Sequence, residues 1–193
     1  MEKHDKTNGY EEIAERFMSV RNARIGAAIV REWSRTLPRG ASVLDLGCGH
    51  GVPISQVLVS DGFAVYGIDA SATMVAAFRE RFPNAHAECA GVEDSEFFSR
   101  TFDGVIAWGL MFLLPADVQT IVIGKVARAL SRGGAFLFTS PQEAGTWPDA
   151  LTGREAVSLG FEGYQQVLRA EGLLFVGEQS DEGGNHYYFV TKP

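Results

Sequence analysis

Val43-Leu44-Asp45-Leu46-Gly47-Cys48-Gly49-His50-Gly51 is the stretch whose reading decides the fold. A short apolar run opening at Ser42 gives way to glycines at alternate positions, and Pro53, whose fixed φ suits a first helical turn, follows at once. A buried strand that turns sharply into a helix has this form. Bare backbone at the turn can take positive φ and can touch a ligand directly. The helix beyond it offers free N–H groups to an anionic group such as a carboxylate. Tight packing alone also produces Gly-rich turns, so the reading needs a second feature.

Asp69 supplies it. This residue ends the next apolar run, Phe63 to Ile68, roughly two dozen residues after Asp45, the separation at which an acidic side chain meets ribose hydroxyls. Its competing role is to cap or turn the chain beside Ser71. A dinucleotide fingerprint requires Gly-x-Gly-x-x-Gly, and here the third glycine comes one residue early, which disfavours a nicotinamide oxidoreductase. No Lys followed by Ser or Thr closes the glycine run, so a P-loop is absent as well.

Outward from this centre the pattern repeats. Ser71 caps a helix carrying Met74, Val75, Phe78 and Phe82, and Pro83 stops it. His86 to Cys89 reads as a third strand and Phe102 to Trp108 as a fourth. A helix from Ala116 to Leu130 closes at Arg132, Gly133 and Gly134, and Ala135 to Thr139 forms a fifth strand. Such alternation means parallel strands joined by crossover helices. A loop rich in Gly, Pro and Trp, 141–153, precedes a helix around Gly163 to Glu171 and strands near Leu173 to Glu178 and Asn185 to Thr191. The linker from Ser180 to Gly184 is too short for a parallel return, so these last strands are antiparallel neighbours. Upstream, Ile13, Ala14, Phe17 and Met18, then Ile25, Ala28, Ile29 and Trp33, recur at helical spacing until Leu37 to Gly40 break it. The expected molecule is one α/β domain over 1–193, with helices in 1–40, a binding core in 41–140, the rest of the sheet in 141–193, and fraying only before about Gly9.

The run from Val43 to Gly51, with Asp69 behind it, resembles the nucleotide-binding half of class I S-adenosylmethionine-dependent methyltransferases of the small-molecule type, and the resemblance extends over nearly the whole chain. It implies a Rossmann-like seven-stranded sheet of order 3-2-1-4-5-7-6, strand 7 antiparallel, with helices on both faces. It also implies S-adenosyl-L-methionine as cofactor. Gly47, Cys48, Gly49 and Gly51 would then lie along the methionine part, with Asp45 near its ammonium and Asp69 on the ribose. Ala70 and Met74 would flank the adenine, with Val92 and Glu93 at its edge. Val92 follows Gly91 where the family often has Asp, which leaves Glu93 or a backbone N–H to read the amino group. Trp108, at the end of the fourth strand, either lines the donor or acceptor site or packs in the core. Gly109, Leu110 and Met111 stand where members that methylate amide or exocyclic amino nitrogens carry Asn or Asp and two prolines.

An N-terminal helix that covers the cofactor offers a Tyr and an Arg in several members, which makes Tyr10, Arg21 and Arg24 candidates. Tyr10 and Arg24 rank first because they flank the apolar face. Arg suits a carboxylate because its planar fork bonds in pairs. Trp147, Phe112, Tyr164 and Tyr187 are candidates for an apolar acceptor pocket, or else belong to the core.

The remaining observations bound the function. A net charge of −7 argues against binding a polyanion, although six arginines between Arg16 and Arg39 make the first forty residues the basic part. Cys48 and Cys89 form no spaced framework and fit a reducing, cytoplasmic setting. The charged opening from Met1 to Lys6 lacks the form of a signal peptide, and no apolar run reaches the length of a membrane span. His4, His50, His86 and His186 stand apart, so no metal site is expected. The resulting expectation is in-line methyl transfer to a small-molecule acceptor, with no nucleic-acid or membrane partner. The alternative is a non-catalytic module that binds S-adenosylmethionine or S-adenosylhomocysteine.

Overall fold

The structure, a computed structural model, describes residues 5–193. Met1 to His4, part of the charged opening, lie outside the described residues. Seven strands form the main sheet: β1 (Ser42–Leu46), β2 (Ala64–Asp69), β3 (His86–Cys89), β4 (Phe102–Ala107), β5 (Leu130–Thr139), β8 (Leu174–Ser180) and β9 (His186–Thr191). Their order is β3-β2-β1-β4-β5-β9-β8. β1 to β5 are parallel, and β9 runs antiparallel to both β5 and β8. This is the expected order, because the two extra strands in the chain-order numbering belong to a separate hairpin.

Alternation along the strands explains why helices cover both faces. Leu44 and Leu46, Val105 and Ala107, and Phe136 and Phe138 pack with Val122, Val126 and Leu168 of α5 (Ala116–Ala129) and α6 (Gly160–Ala170). Adjacent residues of the opposite parity, Val43, Ile106 and Leu137, pack on the other face. Their partners there are Ile29, Val30 and Trp33 of α2 (Ala27–Ser34), Val57 and Leu58 of α3 (Ile54–Ser60) and Phe78 of α4 (Ala72–Arg81). Period-two burial on two apolar sides marks a sheet sandwiched between helix layers. Each fully buried Phe or Leu is worth about 1.5–3 kcal/mol relative to exposure.

Local chemistry sets the element ends. Ser71 Oγ accepts from the Met74 N–H at 3.1 Å and caps α4, as its sequence position predicts. The helical spacing upstream resolves into two helices, α1 (Ala14–Val20) and α2, separated where Arg21 leaves the helical region. α5 ends at Ala129 and β5 takes over directly, with a register irregularity opposite Phe102 and Gly104, so 130–134 is irregular strand where a helix end is expected.

Two further expectations are corrected. The segment 141–153 is not simply a loop: β6 (Gly145–Pro148) pairs antiparallel with β7 (Glu155–Ser158). Asp149 closes this hairpin, its carboxylate accepting from the N–H groups of Leu151 and Thr152. The residues from Asp5 to Asn8 are hydrogen-bonded where fraying is expected. Asp5 accepts from the N–H groups of Thr7 and Gly9, and Asn8 Nδ2 donates to the Glu155 carbonyl of β7. Among the described residues no helix is long and apolar enough to cross a membrane.

Candidate functional site

A crevice of about 190 Å³ opens at the carboxyl ends of β1, β2 and β4, where an open α/β sheet places ligands. The strand register builds it. Leu46 lies opposite Ile68, and past the end of β1 the N–H groups of Gly47 and Cys48 both donate to the Ile68 carbonyl, at 2.8 and 3.1 Å. This hitch swings the glycine turn beside Asp69. The Gly49 N–H then donates to Asp69 Oδ2 at 2.8 Å, and the Ser71 N–H donates to Oδ1 at 2.8 Å. A carboxylate has about four acceptor sites, so Asp69 keeps acceptor capacity toward the crevice while these two bonds hold its plane. Burial pushes the Asp69 carboxyl up, against the two N–H groups that pull it down.

Asp45 lies deeper, 2% exposed, and accepts from Ser55 Oγ at 2.6 Å. Burial raises its carboxyl to about 7, the Ser55 hydroxyl opposing and the Asp69 charge adding to the rise. Gly49, with φ +52°, sits 3.3 Å from Met74 Sδ as measured from the place a Cβ would take, so a side chain there would crowd the adjoining wall. Cys48 turns its sulfur back onto Gly67 of β2, and burial raises its thiol, which makes it a packing residue instead of a nucleophile.

The crevice brings together eleven of the expected residues: Tyr10, Asp45, Gly47, Cys48, Gly49, Asp69, Ala70, Met74, Val92, Glu93 and Trp108. Two are not among them. Gly51 faces the other way, where a Cβ would run into Phe82 and come within 3.0 Å of Phe78, so its positive φ serves helix packing. Arg24 is exposed, and Arg21 is the arginine that enters. The chain leaves α1 at Arg21 in an extended conformation, which turns that side chain inward and Arg24 out to solvent.

Arg21 is laid between two rings, its guanidinium carbon 4.1 Å from the Trp108 centroid and 5.0 Å from that of Phe17. Its Nε donates to the Val52 carbonyl at 3.5 Å, and no acidic side chain pairs with it among the described residues. Burial lowers it to about 10, which leaves it charged at neutral pH. Behind it, Trp108 Nε1 donates to Tyr187 Oη at 2.5 Å, and Tyr187 donates to Asp181 Oδ2 at 2.7 Å. Trp108 is therefore both a wall of the crevice and 9% exposed core. His50 also lines the crevice, and burial drops its imidazole to about 4, so it is neutral at pH 7.

The aromatic pocket is only partly assembled. Phe112 lines the crevice with Leu110 and Leu113, and Trp147 packs behind it at 6.1 Å between centroids. Tyr164 and Tyr187 are fully buried, and Tyr164 hydrogen-bonds Gln119 and Ser140 in the core. Sequence reasoning missed Lys6, Thr7, Asn8, Phe17, Leu151 and Asn185, all of which line the crevice from distant parts of the chain. No local spacing marks them.

This geometry agrees with what comparison finds. Residues 43–134, from the start of β1's apolar run to the glycines opening β5, match the family model described as a methyltransferase domain. Over that stretch the chain is similar to methyltransferase domains. It is 29% identical over 179 residues to the sarcosine/dimethylglycine N-methyltransferase of Aphanothece halophytica, an alignment covering 84% of this chain and 62% of that protein. The chain spans between 40 and 62% of the length of the curated relatives it matches. Among solved structures, the chain superposes on the CcbJ methyltransferase from Streptomyces caelestis with a TM-score of 0.80 at 16% identity, covering 98% of this chain and 99% of that one. The [4+2]-cyclase SpnF superposes with a TM-score of 0.77 at 15% identity, covering 99% and 97%. These likenesses make the architecture that of class I methyltransferases.

Proposed function

We propose that this chain is an S-adenosylmethionine-dependent methyltransferase that acts on a small-molecule acceptor, the described chain working as one unit with its first forty residues over the cofactor. One observation carries the reading: the bent backbone at Gly47 to Gly49 and the Asp69 carboxylate are bonded to each other and face one crevice, which Asp45 and the Arg21 guanidinium also line. The donor set fits an adenosyl amino acid. Asp69 would accept from the ribose hydroxyls, Asp45 would meet the ammonium, and Arg21 would meet the carboxylate. Ala70, Met74, Val92 and Glu93 would enclose the adenine.

When bound, the cofactor supplies a methyl group on an electrophilic sulfonium. The chain's own task is to position an acceptor lone pair and exclude water. Trp108, Leu110 and Phe112 form an apolar wall suited to that exclusion. Small amino acids with a methylated amine are the first acceptors to try, given the named activity of the Aphanothece relative. The acidic net charge supports an acceptor other than nucleic acid or an anionic membrane, and the two unpaired cysteines support a cytoplasmic setting.

Titration calorimetry with S-adenosylhomocysteine tests the binding half. Asp69→Ala is expected to weaken affinity by at least about tenfold, the cost of leaving buried hydroxyls unpaired. Equal affinity in wild type and variant overturns the assignment. Transfer of a labelled methyl to sarcosine, dimethylglycine and related amines tests the other half. The same fold in a [4+2]-cyclase is why binding alone does not suffice. Tight cofactor binding with no labelled product favours the binding module.

A further inference from the structure

The turn after β3 is held from two sides by lysines that are far apart in sequence. Beneath it, Lys125 of α5 donates to the carbonyls of Val92, Glu93 and Ser95 at 3.2, 2.8 and 2.6 Å. Above it, Lys6 lies in the crevice wall, with its ammonium 3.0 Å from Glu93 Oε1 and also paired with Asp94. A Cβ at Gly91 would stand 2.7 Å from Lys6 Cδ and 2.9 Å from Glu93 Oε2. The stem of Lys6 therefore occupies the volume into which any side chain at 91 would project. One Glu93 oxygen is tied to Lys6, and the other is left as an acceptor beside the bare Gly91 backbone.

We propose that Lys6 is a positioning residue for the adenine end of the crevice: it fills the space vacated at Gly91 and holds the Glu93 carboxylate as the acceptor for the exocyclic amine of adenine. This rests on reading the crevice as an S-adenosylmethionine site. An unrestrained Glu side chain has three torsions and turns toward water, so an acceptor built on one needs a partner to keep it in place. An ion pair at this exposure contributes little to stability, so a purely structural role for Lys6 would leave its removal nearly silent in the folded protein. Its consequence is selective. A carboxylate held at that edge accepts from a 6-amino purine and repels a 6-oxo purine, which presents an oxygen at the same place. The N-terminal segment thereby becomes part of base recognition.

Calorimetric affinities for S-adenosylhomocysteine and its deaminated analogue S-inosylhomocysteine decide the matter. The wild type is expected to prefer the adenosyl ligand by at least about tenfold, because the wrong base sets an acceptor oxygen against the half-buried Glu93 carboxylate. Lys6→Met is expected to narrow that preference below about threefold with an unchanged melting temperature, and Lys6→Arg to retain it. Should Lys6→Met weaken both ligands equally or change neither, Lys6 is a tether only and the proposal falls. A wild type that binds neither ligand overturns the reading of the crevice itself.

Discussion

At the scale of single residues, the carboxylate pair divides its work by depth. Asp69 stays near the mouth under two backbone N–H groups, whereas Asp45 is enclosed and its carboxyl rises to about 7 from a usual value of 3.8, burial being the largest cause. Below about pH 4 the side chain is protonated in both folded and unfolded chains. Between 4 and 7 the unfolded chain releases a proton that the folded chain keeps, so stability from this group is lost as pH rises and levels off above 7. Asp45→Asn should therefore gain on wild type across that window, by at most about 4 kcal/mol at 1.36 kcal/mol per pKa unit. Urea melts of both proteins at pH 4, 5.5 and 7 measure it, and a pH-independent difference counts against the buried acid. Binding has the opposite slope. A ligand ammonium requires the ionised form, so wild-type affinity for S-adenosylhomocysteine should fall about tenfold per pH unit below 7 and be flat in Asp45→Asn.

At the scale of elements, the crevice depends on pieces that meet only in three dimensions. The segment before α1 is pinned at three places. Lys6 binds the turn after β3, Glu11 accepts from Ser71 and Thr73 at the start of α4, and Arg154 of the β6–β7 hairpin pairs with Glu12 at 2.8 Å. The β8–β9 connection braces the opposite wall through Asp181, Tyr187 and Trp108. Tyr187→Phe would leave the Trp108 indole N–H without an acceptor in a buried place, so a loss of about 1–3 kcal/mol is expected. Chemical denaturation should show a lower midpoint with an unchanged slope, accompanied by a shift in tryptophan emission. A midpoint within experimental scatter of wild type would mean that the indole finds another acceptor.

At the scale of the whole molecule, one crevice gathers residues from position 6 to position 185 across the ends of three strands, so ligand binding should be read by the entire fold. At a hundredfold excess over its dissociation constant, S-adenosylhomocysteine should stabilise the chain by about 2.7 kcal/mol, which for this size raises the melting temperature by roughly 5–10 °C. A thermal scan with a nicotinamide dinucleotide should show no rise. The reverse pattern would restore the oxidoreductase that the early third glycine disfavours.

The strand order, the reversed β9 and the pairing of the glycine turn with Asp69 were legible in the chain because each rests on a local signal. Period-two and helical spacing reveal elements, short connections reveal antiparallel neighbours, and glycine at a strand end reveals a bend. The β6–β7 hairpin was not legible, since β6 is mostly exposed and neither four-residue strand shows an apolar alternation. Nor was the choice of Arg21 over Arg24, because both fall in the break between two helices and only the packing of Phe17 and Trp108 decides which turns inward. Gly51 shares its spacing with Gly47 and Gly49, yet Phe78 and Phe82 claim it for packing. Lys6 and Glu93 lie 87 positions apart, and no periodicity relates residues at that range. Sequence by itself determined the architecture and the two carboxylates at its centre, because backbone propensity and burial pattern act over a few residues. Tertiary structure alone decided what closes over them, because charge pairing and close approach depend on distance in space and not along the chain.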